Sequence, residues 1–506
     1  MSSNPKLLYA KLFDHLEKTR SFESALQLCE WDQETYMPEK GILFRSLTTS
    51  NLSEICHKNR TSPAYKKLLN SLINLSTGKI VHQDLAVKDV ANLKILKEDF
   101  EQQSKLPVTF VKNFTKLCSE STFAWQNAKE HSDFKSFSPY LKKIVQANQK
   151  KAAFLGFKHH PYDALLDLYE PGMTTAILDE LFIKLKFELV ELLQKIKAKN
   201  KHFKVIDKNA SFHHQMELGR NLLEGIGLKP DFSRLDTTAH PFCSTLGPAD
   251  IRLTTRIIPD DFMSNISSVL HEGGHGLYAH GLSKAAPGLP EGQSASLGLD
   301  ESQSRLYETR IGKSHAYLEH LLPILKEHLK KPDLTLEGLY ENMNRIEPHL
   351  IRIESDEISY CLHIILRYEI EKALIEGSME VAQLPKVWNE KMENYLGVIP
   401  AHDSQGCLQD IHWSMGSIGY FPTYALGNIY AASIMEAFSK QHHNFNEELK
   451  KGNLSSLQSY LQKHLYDHGR LLKPLEIMHI MTKEGLNIGP YISYLKDKYS
   501  VLYGLD

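Results

Sequence analysis

Apolar residues recurring at helical spacing run through most of this chain, and they limit its fold more than any other feature. Leu7, Leu8, Phe13 and Leu16 fall near one helical face, as do Leu181, Phe182, Leu185, Phe187, Leu189, Leu192 and Leu193. Comparable stretches cover about 136–156, 261–282, 294–330, 334–376, 425–439 and 454–471. Proline and glycine punctuate them at Pro38, Pro107, Pro161, Pro171-Gly172, Pro287-Gly288, Pro290 and Pro400. There is no fixed-period repeat, low-complexity segment or Gly/Ser-rich linker. These patterns predict an all-α, mainly helical protein forming a single domain over residues 1–506. A chain of 506 residues can bury a sizeable core without disulfides or structural metals.

One segment departs from this period. In Asp250-Ile251-Arg252-Leu253-Thr254-Thr255-Arg256-Ile257, polar residues at 250, 252, 254 and 256 alternate with largely apolar ones between Pro248 and Pro259. Period two with β-branched residues predicts a half-buried strand. A small β-sheet around 240–258, just before the stretch 261–282, is placed to form an edge of a site.

That stretch contains His271-Glu272-Gly273-Gly274-His275, an H-E-x-x-H pattern. Residues four apart lie on one helical face with Cβ atoms about 6 Å apart. Two imidazoles so placed can converge on one metal ion at about 2.0–2.1 Å. Glu272, rotated by about 100°, does not ligate but reaches a water at the metal. In a chain with 25 His the pattern arises by chance at most roughly 0.15 times, so it needs support. Phe262, Ile266, Val269 and Leu270 put the helix in the interior. Adjacent glycines cost about 0.8–1.0 kcal/mol each in a helix, so Gly273 and Gly274 predict a close approach, by a substrate backbone or a neighbouring strand. A catalytic zinc also needs a third ligand and an open position. Asp300, Glu301 and Glu308, on a predicted returning helix after the loop Pro287–Gly292, are all eligible on spacing.

Composition excludes several other classes. A net charge of −2 and a pI near 6.9 give no field that would attract nucleic acid or an anionic membrane. The six cysteines, Cys29, Cys56, Cys118, Cys243, Cys361 and Cys407, are scattered with no C-x-x-C pair, which suits a reducing compartment. The stretch from Met1 to Lys6 leads into charged residues rather than an apolar signal core, and no run of about 18 apolar residues occurs. A cytoplasmic location is expected, with no membrane partner.

With these residues in view, the chain resembles the thermostable-carboxypeptidase-type (M32) metallocarboxypeptidases along most of its length. The resemblance rests on Trp31–Pro38, His240-Pro241-Phe242, Asp250–Thr254, His271–His275, Glu301-Ser302-Gln303, Ile351–Asp356, Leu408–Ser414 and Gly419–Tyr424. Two positions depart from the family motifs. Asp300 stands where H-E-[SG]-Q has histidine, which keeps the ligand but alters hydrogen bonding near it. Ser355 stands where Ala or Gly is usual.

The resemblance implies a neurolysin-like helical fold with a deep substrate groove and metal-dependent removal of C-terminal amino acids from peptides. It favours Glu301 as third ligand beside His271 and His275, with one divalent ion, zinc before cobalt or manganese. It also implies peptide substrates with a free C-terminus and, commonly, a homodimer. Glu272 is then the general base. His412 and Tyr420 are expected to serve the oxyanion, with Tyr424 in the same Gly-rich loop, Gly416–Gly427, contacting substrate. Arg352 is the expected receptor for the substrate carboxylate, though Glu354, Asp356 and Glu357 nearby would also suit a structural ion-pair cluster. His240, before Pro241, is expected at the groove. Two other readings remain at this stage: an internally cutting, neurolysin-like oligopeptidase, and a helical binding scaffold with a vestigial metal site.

Overall fold

The computed structural model describes residues 4–505 except 283 and 285, so the first three residues of the N-terminal stretch read above lie outside it. The chain is mainly helical, as its periodicity predicts. Four helices, Pro5–Thr35, Ile42–Thr61, Pro63–Leu72 and Val87–Ser104, open it. Two begin in the same way: Asn4 and Ser62 accept from backbone N–H groups of the first turn, and a proline follows where no donor is needed. Leu12, Leu16, Tyr65, Leu69, Leu93 and Leu96 from these helices close on Leu289 as a small apolar cluster. A much larger cluster, from Trp125 onward, holds most of the other buried apolar residues.

Three expected stretches are broken; the one at 454–471 gives a helix at Ser455–His464 and a short turn at Tyr466–Leu471. The one at 294–330 divides into a helix at Leu297–Arg305, a π-helical turn at Leu306–Gly312 and a helix at His315–His328. The one at 334–376 divides into Leu336–Met343 and Ser359–Glu376, separated by an irregular segment holding a short turn at Arg352–Glu354. Pro348 bars its predecessor from the helical region, which ends any continuous helix there.

The sheet has three strands: β1 (Ser233–Thr237), β2 (Cys243–Gly247) and β3 (Asp250–Thr255), in the order β1-β3-β2. β3 is the expected strand, now central, parallel to β1 and antiparallel to β2. The sheet begins earlier than 240 because β1, Ser-Arg-Leu-Asp-Thr, has one apolar residue and no alternation to read. Ile251 and Leu253 of β3 pack beneath the H-E-x-x-H helix at Gly276, so the sheet supports that helix from below.

Candidate active site

The H-E-x-x-H helix spans Phe262–Gly281. Asp261 caps it, accepting from the N–H groups of Met263 at 3.1 Å and Ser264 at 3.4 Å. Phe262, Ile266, Val269 and Leu270 are fully buried, and this fixes the rotation of the helix. His271 and His275 are thereby turned to the groove, with their rings 5.1 Å apart.

Glu301, on the helix Leu297–Arg305, brings its Oε2 to 3.9 Å from Nε2 of His271 and 3.6 Å from Nε2 of His275. Ligand atoms of a tetrahedral site with bonds of about 2.1 Å lie about 3.4 Å apart. The three atoms are thus already close to coordinating distance, and they form a possible metal-holding group. Two glycines allow this approach. A Cβ on Gly274 would fall on the backbone of Gln303 and Ser304, 2.6 Å from the Gln303 carbonyl carbon and 2.7 Å from Ser304 Cα. A Cβ on Gly427 would meet Glu301 Cγ at 2.5 Å. The close neighbour expected at Gly274 is therefore the ligand-bearing helix itself, neither a substrate nor a strand.

The outer nitrogens of both imidazoles meet carboxylates. Nδ1 of His271 lies 2.9 Å from Glu308 on the π turn. Nδ1 of His275 lies 3.1 Å from Asp300, close in charge but without hydrogen-bond alignment. Burial alone would depress the His275 pKa, but Asp300, Glu272 and Glu301 override it and raise it to about 10. Glu272 is buried at the groove wall, and burial raises its pKa despite the two histidines beside it.

These residues border a cavity of about 880 Å³. Its far wall comes from the N-terminal helices, including Arg20, Glu23, Glu30 and Arg60, and one edge is Cys243, Ser244 and Thr245 of β2. Tyr420, Thr423 and Tyr424 face it as well. Tyr424 belongs to the first turn of the helix Pro422–Ser439, so the expected loop ends before it. Burial, first of all, keeps the Tyr420 phenol far above its usual pKa and that of Tyr424 at about 12, so both remain protonated donors.

Three expected site residues stand elsewhere. His412 contacts the Tyr424 hydroxyl through Nε2 at 3.3 Å from behind and is not part of the cavity wall. Arg352 is buried; its Nε and Nη2 donate to Asp410 Oδ1 at 3.1 and 2.9 Å, and it lies under the Tyr424 ring at 4.9 Å. It stands behind the cavity wall, where its Nη1 also donates to the Tyr360 hydroxyl at 3.1 Å. His240 is exposed, amid the charges of Glu34, Lys129 and Arg256 rather than on the cavity wall.

The whole-chain comparisons agree on one family. The model for carboxypeptidase Taq (M32) metallopeptidases matches residues 11–499. The chain belongs to the M32 metallocarboxypeptidases. It is 36% identical to carboxypeptidase 1 of Bacillus subtilis, over 97% of this chain and 98% of that one. It is 34% identical to thermostable carboxypeptidase 1 of Thermus thermophilus, over 99% and 100%. The crystal structure of the M32 carboxypeptidase from Deinococcus radiodurans R1 superposes with a TM-score of 0.94 at 30% identity, covering 98% of this chain and 100% of that one.

This M32 enzyme is accordingly a peptide hydrolase of the carboxypeptidase type, and membership implies a divalent metal. Its residues fit one. Oε1 of Glu301 is buried with no hydrogen-bond partner among the described residues, and the acid groups Glu272, Asp300, Glu301 and Glu308 surround two imidazoles in a site that draws positive charge. Sequence reasoning missed Arg305, which holds Glu308 at 2.7 Å. It also missed Glu371, which accepts from Tyr162 (2.6 Å), Trp413 (2.7 Å) and the Gly419 N–H (3.0 Å) and so ties down the segment between His412 and Tyr420. Glu371 lies among Arg367, Glu369 and Lys372, so nothing in the sequence set it apart from a charged helix face.

Proposed function

We propose that this carboxypeptidase uses zinc, held by His271, His275 and Glu301, to remove residues from the free C-terminus of peptides. The observation that carries the reading is the convergence of two Nε2 atoms and one carboxylate oxygen beside a buried Glu272 on the groove wall. A His₂Glu set suits zinc, and cobalt or manganese also accept these ligands. When bound, the ion lowers the pKa of water from 15.7 towards about 7 and polarises the scissile carbonyl.

The remaining work falls to the protein. Glu272 takes a proton from the attacking water on its carboxylate and returns it to the leaving amine. Its raised pKa suits a group that must both accept and release that proton. Tyr420 and Tyr424 present O–H donors to the groove, with Tyr420 assigned to the oxyanion and Tyr424 to the substrate. His412 acts through Tyr424, fixing the direction of its hydroxyl. Arg352 supports the same ring, and His240 is assigned to the outer rim. Cytoplasmic residence is proposed from the cysteines, six and all free in the structure, and homodimerisation from the family resemblance.

Timed mass spectrometry of a peptide mixture, with metal-free and zinc-restored enzyme, tests the reading. A ladder losing one residue at a time from the C-terminus, only with metal and only on unblocked peptides, is the expected result. Cleavage of C-terminally blocked peptides at internal bonds would replace it with an oligopeptidase.

A further inference from the structure

A second cavity, of about 400 Å³, shares no lining residue with the groove. Arg310, Lys313, Lys450 and Lys498 line it, against one lining carboxylate, Glu447. We propose that this cavity binds a phosphate-type oxyanion.

The argument is a count of donors and acceptors. The Arg310 side chain is 3% exposed and lies 3.3 Å over the Tyr494 ring. None of its three guanidinium nitrogens has a hydrogen-bond partner among the described residues. The carboxylate beside it, Glu357, keeps Oε1 3.8 Å away, beyond hydrogen-bond reach, while its Oε2 accepts from Lys498 at 2.7 Å and Tyr499 at 2.9 Å. Lys313 is placed similarly: it is 3.6 Å from Oε1 of Glu308, whose Oε2 accepts from Arg305 at 2.7 Å and contacts His271 at 2.9 Å. Two cations therefore stand beyond hydrogen-bond reach of the carboxylate oxygens that face them. A buried guanidinium without a bonded acceptor is costly, and charge-assisted bonds to an oxyanion remove that cost.

Tyr340 and Asn446 add neutral donors around the same space. Donors spread over several walls suit an anion with several oxygens rather than a halide. Arg310 also lies on the π turn that carries Glu308, a backbone irregularity often found at functional sites.

Calorimetric titration of the metal-loaded protein with inorganic phosphate tests the site, with chloride at equal ionic strength as reference. One phosphate per chain should bind at this cavity. Lys450→Glu, at a partly exposed position, should weaken it at least tenfold and Arg310→Met should abolish it, with circular dichroism checking both folds. Should Arg310→Met unfold, Lys450→Glu alone decides. Affinity unchanged in Lys450→Glu, binding no stronger than chloride, or binding lost only on metal removal would each overturn the proposal.

Discussion

Nδ1 of His271 and a guanidinium nitrogen of Arg305 share one oxygen of Glu308, at 2.9 and 2.7 Å. The carboxylate fixes the ring so that Nε2 is the nitrogen offered to the ion, and Arg305 fixes the carboxylate. Burial would raise the Glu308 pKa, but Arg305 and His271 outweigh it and hold the group well below the usual carboxylate range. It therefore remains an anion at every pH at which a histidine can ligate.

Removing that support should weaken metal binding without removing a ligand. Glu308→Ala is expected to lower zinc affinity about 10–100-fold, the usual cost of losing a group that orients a ligand. Competition with a chromogenic chelator measures this. Affinity equal to the parent would show that the π turn does not serve the metal.

Glu272 has the opposite signature. Glu272→Gln preserves the shape of the side chain and removes its proton-accepting oxygen. Metal content should stay at one per chain while kcat falls about 10²–10⁴-fold, the range for a positioned acid–base group. Loss of metal in this variant would reassign Glu272 to the ligand set.

The two adjacent glycines should respond differently to alanine. At Gly274 the new methyl meets the backbone of Gln303 and Ser304, which cannot yield without moving the helix that carries Glu301. At Gly273 it meets the tip of Ile226 at 2.5 Å, a side chain that can turn. Gly274→Ala should cost about 1–3 kcal/mol in urea unfolding and also weaken the metal site. Gly273→Ala should come out near zero, since alanine regains about 1 kcal/mol of helix propensity. Equal effects would mean that the Gly274 contact is not what sets helix spacing.

The contrast between His275 and Arg352 shows what the sequence could convey. The H-E-x-x-H helix was legible almost to the residue, because its evidence is local: an i,i+4 pair, an apolar phase and a capping Asp261. The choice among Asp300, Glu301 and Glu308 came only from the resemblance and not from spacing, because all three carboxylates reach the two histidines. The π turn shifts the helical phase between positions 301 and 308, and Glu301 is the one whose oxygen lies near Nε2 of both rings. Arg352 was harder still. Its acidic neighbours Glu354, Asp356 and Glu357 suggested a local cluster, whereas its partner is Asp410, 58 residues away. β1 was invisible for the same reason, since its pairing with β3 is long-range and leaves no pattern within the strand.

The Arg352 pair leads to the last prediction. Asp410 takes Arg352 on Oδ1 at 2.9 Å and Arg367 on Oδ2 at 2.6 Å, all three side chains being nearly buried. Burial raises the Asp410 pKa, but Arg367 and then Arg352 outweigh it and drive it far below the usual range. A carboxylate with a lowered folded pKa contributes stability above its unfolded value, about 3.9, and loses it as pH falls from there towards the folded value. Arg352→Met should therefore cost about 3–5 kcal/mol at pH 7, as for other broken buried pairs. The gap between variant and parent should narrow below about pH 4, where the unfolded chain takes up the proton. Denaturant melts at pH 7 and pH 3.5 measure both effects. Unchanged stability at pH 7 together with a raised KM would instead return Arg352 to the role of carboxylate receptor.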